Sequence, residues 1–101
     1  MNQKTTLSLI NQLVDLEQKT LSKNQNYRHF KRIKSLFEEE GYKYISPKGE
    51  VYNDQRTDLE AQIEGDINKE LRITEVIKPI IYFEQNGQRT LTQKGVVIVE
   101  N

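Results

Sequence analysis

Ile80-Ile81-Tyr82-Phe83 and Gly95-Val96-Val97-Ile98-Val99, set on either side of Asn86-Gly87 and Arg89-Thr90-Leu91, decide how this chain folds. Each run is apolar at successive positions. A strand with one wet face alternates apolar and polar residues, so an unbroken run calls for cover on both faces. So short a stretch cannot cover itself, and helices, a second sheet, a second copy or a foreign partner must meet it. Asn86-Gly87 is a strong hairpin signal because both residue types accept positive φ, so 89–92 is expected to pair back onto 82–84. Gln93-Lys94-Gly95 is then expected to turn into the strand 96–99. Pro79 has no N–H for a ladder bond and is expected to separate 73–77 from 80–84, or to lie on an edge.

Upstream of this cluster, Tyr42-Lys43-Tyr44-Ile45 reads as a strand and Ser46-Pro47-Lys48-Gly49 as a turn. Glu50-Val51-Tyr52 is a short return strand, 53–58 a polar surface loop, and Leu59-Glu60-Ala61-Gln62-Ile63 an alternating strand that ends at the Gly65-Asp66 turn. The first 41 residues have a different period. Leu7, Ile10, Leu13, Val14 and Leu21 recur at spacings of three and four, the stripe of an amphipathic helix, with Thr5 or Thr6 placed to cap its start. The stripe is expected to end near Leu21 to Lys23, with Lys23-Asn24-Gln25-Asn26 as a turn and Asn26 as the cap of a second helix running to about Glu40. Gly41 then fits the left-handed residue that follows a helix. The fold class expected is α+β: an antiparallel helix pair over 1–41, half of a dimeric four-helix bundle, followed by a small all-β domain of short strands over 42–101.

Composition narrows the function. A chain of 101 residues makes one small domain, able to bury roughly 65% of its unfolded surface. Fifteen basic residues balance fifteen acidic ones, so no global positive field gathers phosphates, and nucleic-acid partners are not expected. The one basic run with interleaved aromatics is 27–34. At helical spacing its Tyr27, Phe30 and Ile33, with Phe37, fall on one face and its cations largely elsewhere, which fits an amphipathic helix better than a nucleic-acid surface. Glu38-Glu39-Glu40 sits at the end of that helix, where the macrodipole favours cations. The absence of cysteine rules out a disulfide scaffold and fits a reducing compartment. With no signal-peptide pattern and no apolar run of about 18 residues, a cytoplasmic protein without a membrane partner is expected.

Catalytic patterns are missing. His29 is the only histidine, no second histidine or cysteine stands at metal-ligand spacing, and the five glycines are isolated turn residues, not a phosphate-binding loop. No metal, cofactor or enzymatic activity is expected, and the chain reads as a binding protein.

The order of elements, from the first helix through Phe37-Glu38-Glu39-Glu40-Gly41-Tyr42-Lys43-Tyr44-Ile45, Gly49 and Tyr52 to Val76-Ile77-Lys78-Pro79, Asn86-Gly87-Gln88-Arg89-Thr90-Leu91 and Val96-Val97-Ile98-Val99, resembles the GrpE family. These proteins are the nucleotide exchange factors of DnaK-type chaperones. The resemblance implies a homodimer joined by helices and a β-domain that binds the chaperone's ATPase domain and promotes ADP release. It implies that Arg89 on the hairpin faces the chaperone and that Gly41 sets the angle between helix and β-domain. Tyr82, Val97 and Val99 are candidates for the apolar contact, chosen by strand position, and Leu7, Ile10, Val14, Phe30, Ile33 and Phe37 for the dimer contact. The family's Phe-Asp-Pro segment reads here Tyr52-Asn53-Asp54, and its Arg-Pro-Ala after Leu91 reads Thr92-Gln93-Lys94-Gly95. The family's long paired helix has no counterpart in this sequence. The alternative expectation is a divergent adaptor that keeps the fold without exchange activity.

Overall fold

A computed structural model describes residues 1–20 and 27–101. Two helices, α1 (Gln3–Thr20) and α2 (Tyr27–Glu39), precede seven strands: β1 (Tyr42–Ile45), β2 (Val51–Tyr52), β3 (Leu59–Ile63), β4 (Leu71–Lys78), β5 (Ile80–Gln85), β6 (Gln88–Gln93) and β7 (Gly95–Glu100). The expected turn at Lys23–Asn26, the Asn26 cap and Leu21 lie outside the described residues. The start of α1 is capped by Asn2, whose Oδ1 accepts the Thr5 N–H at 2.9 Å, and not by Thr5 or Thr6. Thr6 is too far into the first turn to cap it, and its hydroxyl donates back to the Asn2 carbonyl.

The two unbroken apolar runs belong to one long bent hairpin. β5 pairs with β6 across the Asn86-Gly87 turn, and β4 continues the same ladder onto β7 with register slips at bulges. At Pro79 and at Lys94 both strands of the hairpin leave one sheet and enter the other, so 93–95 is a bend in a continuous ribbon and not a reversal. Pro79 stands at the crossing, where its missing N–H breaks no ladder, and the Gln93 side chain donates to the Pro79 carbonyl at 2.9 Å. Gly95 sits in the same bend, where a Cβ would lie 2.8 Å from Ile80 Cγ1. One half of the ribbon forms a three-stranded sheet in the order β1-β5-β6, and the other a four-stranded sheet in the order β2-β4-β7-β3, with β3 parallel to β7.

Three layers result. Between the sheets lie Leu59, Leu71, Ile73, Val76, Ile80, Val97 and Val99. On the other face of the three-stranded sheet, Tyr44 and Ile81 meet Ile10 and Val14 of α1, with Phe37 of α2 at the margin. Successive residues Ile80 and Ile81 therefore face different layers, which is why the run does not alternate. The chain's own helices and second sheet, two of the four alternatives that the sequence left open, supply the cover on these inner faces.

α1 leans on the β4 region and α2 on β1. Polar hooks fix α1. Its Gln18 side chain donates to the Val76 carbonyl at 3.0 Å and accepts the Val76 N–H at 3.3 Å, pairing with β4 as a neighbouring strand would, beyond the point where the two-residue β2 stops. Its Asn11 exchanges amide hydrogen bonds with Gln93 at 3.1 and 2.7 Å.

The polar loop between β2 and β3 is held by Arg56. Its Nε and Nη2 donate to the two Asp58 carboxylate oxygens at 3.0 and 2.9 Å, and Nη1 to Glu50 at 2.9 Å. The Arg56 hydrogen bonds hold the Asp58 carboxyl below its ordinary value of 3.8, against a smaller opposing push from burial. A carboxyl lowered by folding stabilises the protein above its unfolded value and loses that contribution as the pH falls through the lowered one. Asp58→Asn should therefore cost about 1 kcal/mol near neutrality. Urea denaturation of both proteins across the acid range checks this: the gap between them should close below 3.8 as Asp58 protonates.

Candidate functional site

The β5–β6 turn brings together the residues of greatest interest. Asn86 and Gly87 both have positive φ, 54° and 80°, the geometry whose twist matches two paired strands. Glu84 and Arg89 consequently face each other across the ladder. Arg89 Nε donates to Glu84 Oε1 at 2.8 Å, and its guanidinium carbon lies 4.9 Å from the centre of the Tyr82 ring. Both charged side chains are nearly half exposed, so the pair adds about 0–1 kcal/mol and the ring contact about 0.5–1 kcal/mol. Their effect is positional. Arg89 is held between a carboxylate and an aromatic face, with guanidinium protons left over for an acceptor on another molecule.

The same hairpin is rooted on the end of α2. Gly41 has φ +94°, its carbonyl accepts the Glu84 N–H at 2.8 Å, and a Cβ on it would lie 2.9 Å from the Glu84 carbonyl oxygen and 2.9 Å from the Phe83 ring. Gly41 and Arg89 are thus joined through Glu84, a link no local pattern announced. The Phe83 ring in turn packs on Tyr42 at 4.9 Å. Tyr44, next along β1, has its phenol pKa pushed up by burial, with Glu17 and Glu38 adding to the effect.

Other expected residues are placed differently. Val97 and Val99 are fully buried between the sheets and offer nothing to a partner. Strand parity explains the correction, since their neighbours Val96 and Ile98 turn to the outer face and remain half-exposed. Ile77, at the second bulge of β4, is also exposed. Tyr82 is half-buried beneath Arg89 and against the main core. Of the expected dimer residues, Ile10 and Val14 are buried within this chain by its own Tyr44 and Ile81, Phe30 is buried, and Leu7 and Phe37 pack at the margin of the same cluster. They do not form an open stripe. Ile33 is half-buried, and Leu36, which the sequence reading passed over, is exposed.

Among the described residues, no three His, Asp or Glu side chains come close enough to hold a metal ion, and no helix is long and apolar enough to cross a membrane. Compared with protein-family profiles, curated proteins and solved structures, the chain matches none.

Proposed function

We propose that this protein is a GrpE-like nucleotide exchange factor, a co-chaperone that binds the ATPase domain of a DnaK-type chaperone and promotes release of ADP. The observation that carries the reading is the hairpin at Asn86-Gly87. Its Arg89 is fixed between Glu84 and Tyr82, and its base is fastened to the end of α2 at Gly41. A half-exposed guanidinium set beside a carboxylate and an aromatic face on a paired hairpin is suited to recognising acceptors on a folded protein surface. Val97 and Val99, buried between the sheets, take no part in the contact, and Tyr82 beneath Arg89 supplies its apolar part.

Exchange needs no bond-making chemistry. A protein that binds the open, nucleotide-poor form of the ATPase domain more tightly than the closed form shifts the domain toward opening, and the difference in affinity limits the acceleration. The exchange reading does not depend on self-association.

Arg89→Glu tests the contact. It places two carboxylates opposite each other on the hairpin and reverses the charge offered to the partner. Binding to the ATPase domain, followed by calorimetry, should weaken at least roughly tenfold, while loss of the Glu84 pair and the Tyr82 contact costs stability only about 1–2 kcal/mol and leaves the protein folded. Unchanged binding would remove Arg89 from the contact. Wild-type binding that leaves ADP release unaltered would contradict exchange and leave an adaptor.

A further inference from the structure

The zero net charge that speaks against a polyanionic partner is unevenly spread. From Gln18 to Phe37 the sequence holds six cations, Lys19, Lys23, Arg28, Lys31, Arg32 and Lys34, and no acid, so all fifteen acids lie elsewhere. Two of the six are occupied: Lys19 pairs with Asp15, and Lys34 lies 5.3 Å from the centre of the Tyr44 ring. Arg28, Lys31 and Arg32 are exposed on α2 and enter none of the ion pairs among the described residues. They line one hollow together with His29 and Ser35. Like charges one turn apart near the start of a helix cost it stability, and no ion pair among the described residues offsets them. Tyr27, which helical spacing groups with Phe30, Ile33 and Phe37, is 56% exposed instead of buried with Phe30. At about 100° per residue, Tyr27 and His29 stand on either side of Arg28, so two exposed rings flank the cations.

We propose that this face of α2 binds single-stranded nucleic acid, with Arg28, Lys31 and Arg32 meeting phosphates and Tyr27 and His29 stacking on unpaired bases. A guanidinium donates paired hydrogen bonds to phosphate oxygens, and an aromatic face accepts any unpaired base. The rings choose among anions. An acidic protein segment would use the cations alone, and a duplex keeps its bases stacked away from the rings. A flat anionic membrane would press Glu38 and Glu39 of the last turn against like charge, which a narrow strand avoids. Glu17 and Glu38 border the surface beyond Tyr27 and Lys31, and Glu39 closes its far end. From Arg28 to Ser35 the helix rises about 10 Å, room for about three nucleotides at roughly 3.4 Å each. Contacts to phosphates and ring faces carry little sequence information, so binding should tolerate most sequences. The inference stands on α2 alone and is independent of the exchange reading, whose contact lies on the β5–β6 hairpin.

Fluorescence anisotropy of a short labelled oligonucleotide, as single-stranded RNA and as single-stranded DNA, titrated with the full chain is the test. Three phosphate contacts predict that log affinity falls against log salt with a slope of about −2, so affinity should drop roughly twentyfold between about 50 and about 200 mM salt. Arg28→Glu with Arg32→Glu should weaken binding at least roughly tenfold. Lys48→Glu with Lys69→Glu, at two exposed lysines of the β-domain, makes the same change in net charge and should weaken it less than about threefold. Tyr27→Ala should weaken single-strand binding roughly fivefold or more, and Tyr27→Phe, which keeps the ring, should not. All four variants change exposed residues, and their urea melts should overlay that of wild type closely enough to show each one folded. Binding of one strand type and not the other supports the proposal and shows that the sugar is read. No binding of either strand at about 50 mM salt, or equal losses in the two charge-reversed pairs, would overturn it. Poly-glutamate bound as tightly as the oligonucleotide, with Tyr27→Ala without effect on either, would overturn it in favour of an acidic protein partner.

Discussion

Gly41→Ala is expected to destabilise the protein by about 3 kcal/mol, lowering its melting temperature by roughly 15 °C. Two costs combine. At φ +94° an L-residue is strained by about 1–2 kcal/mol. The new methyl would also lie 2.9 Å from the Glu84 carbonyl oxygen, a backbone atom of a paired strand that cannot swing aside as a side chain could. Gly49→Ala separates the terms, because Gly49 has a similar φ of +90° but nothing within 4 Å of the added carbon. It should cost only about 1 kcal/mol. Paired urea melts measure both, and equal losses would show that the contact with Glu84 carries no weight. Any backbone shift at Gly41 passes to Glu84 and so to Arg89, so partner binding should weaken along with stability.

Ile10→Ala should cost a further large amount, about 3 kcal/mol, because Ile10 is fully buried under Tyr44 and Ile81 and the cavity left by the lost carbons cannot collapse against a sheet. Leu9→Ala and Leu16→Ala, at residues 46% and 52% exposed on the same helix, should stay within about 1 kcal/mol. The loss at Ile10 should not depend on protein concentration, since its contacts lie within one chain. If it instead disappeared on dilution, α1 would be holding two chains together and not its own sheet.

Much of the fold was legible because its signals are local. Asn86-Gly87 announced its hairpin, Pro79 the break between two apolar stretches, and Gly41 the end of α2, each through backbone geometry that few residue types tolerate. The course of the ribbon was not. Nothing local distinguishes a turn at Gln93-Lys94-Gly95 from a bend that carries both strands into a second sheet. An apolar run does need cover on two faces at β5, but at β7 the buried side belongs to Val97 and Val99 while Val96 and Ile98 stay partly exposed. That parity depends on where β7 enters the sheet. The polar links were hidden for the same reason. Gln18 lies on the helix face that meets β4, Arg56 is drawn to Glu50 across the loop, and Glu84 joins Gly41 to Arg89 only once three segments have come together.

The proposed exchange activity meets its most direct test in stopped-flow release of a fluorescent ADP analogue from the ATPase domain of a DnaK-type chaperone taken from the same organism. Rising concentrations of this protein should accelerate release on the order of tenfold or more and then saturate, as a coupling between two binding sites requires. A release rate that stays flat across that range, with the protein shown to be folded, would contradict it.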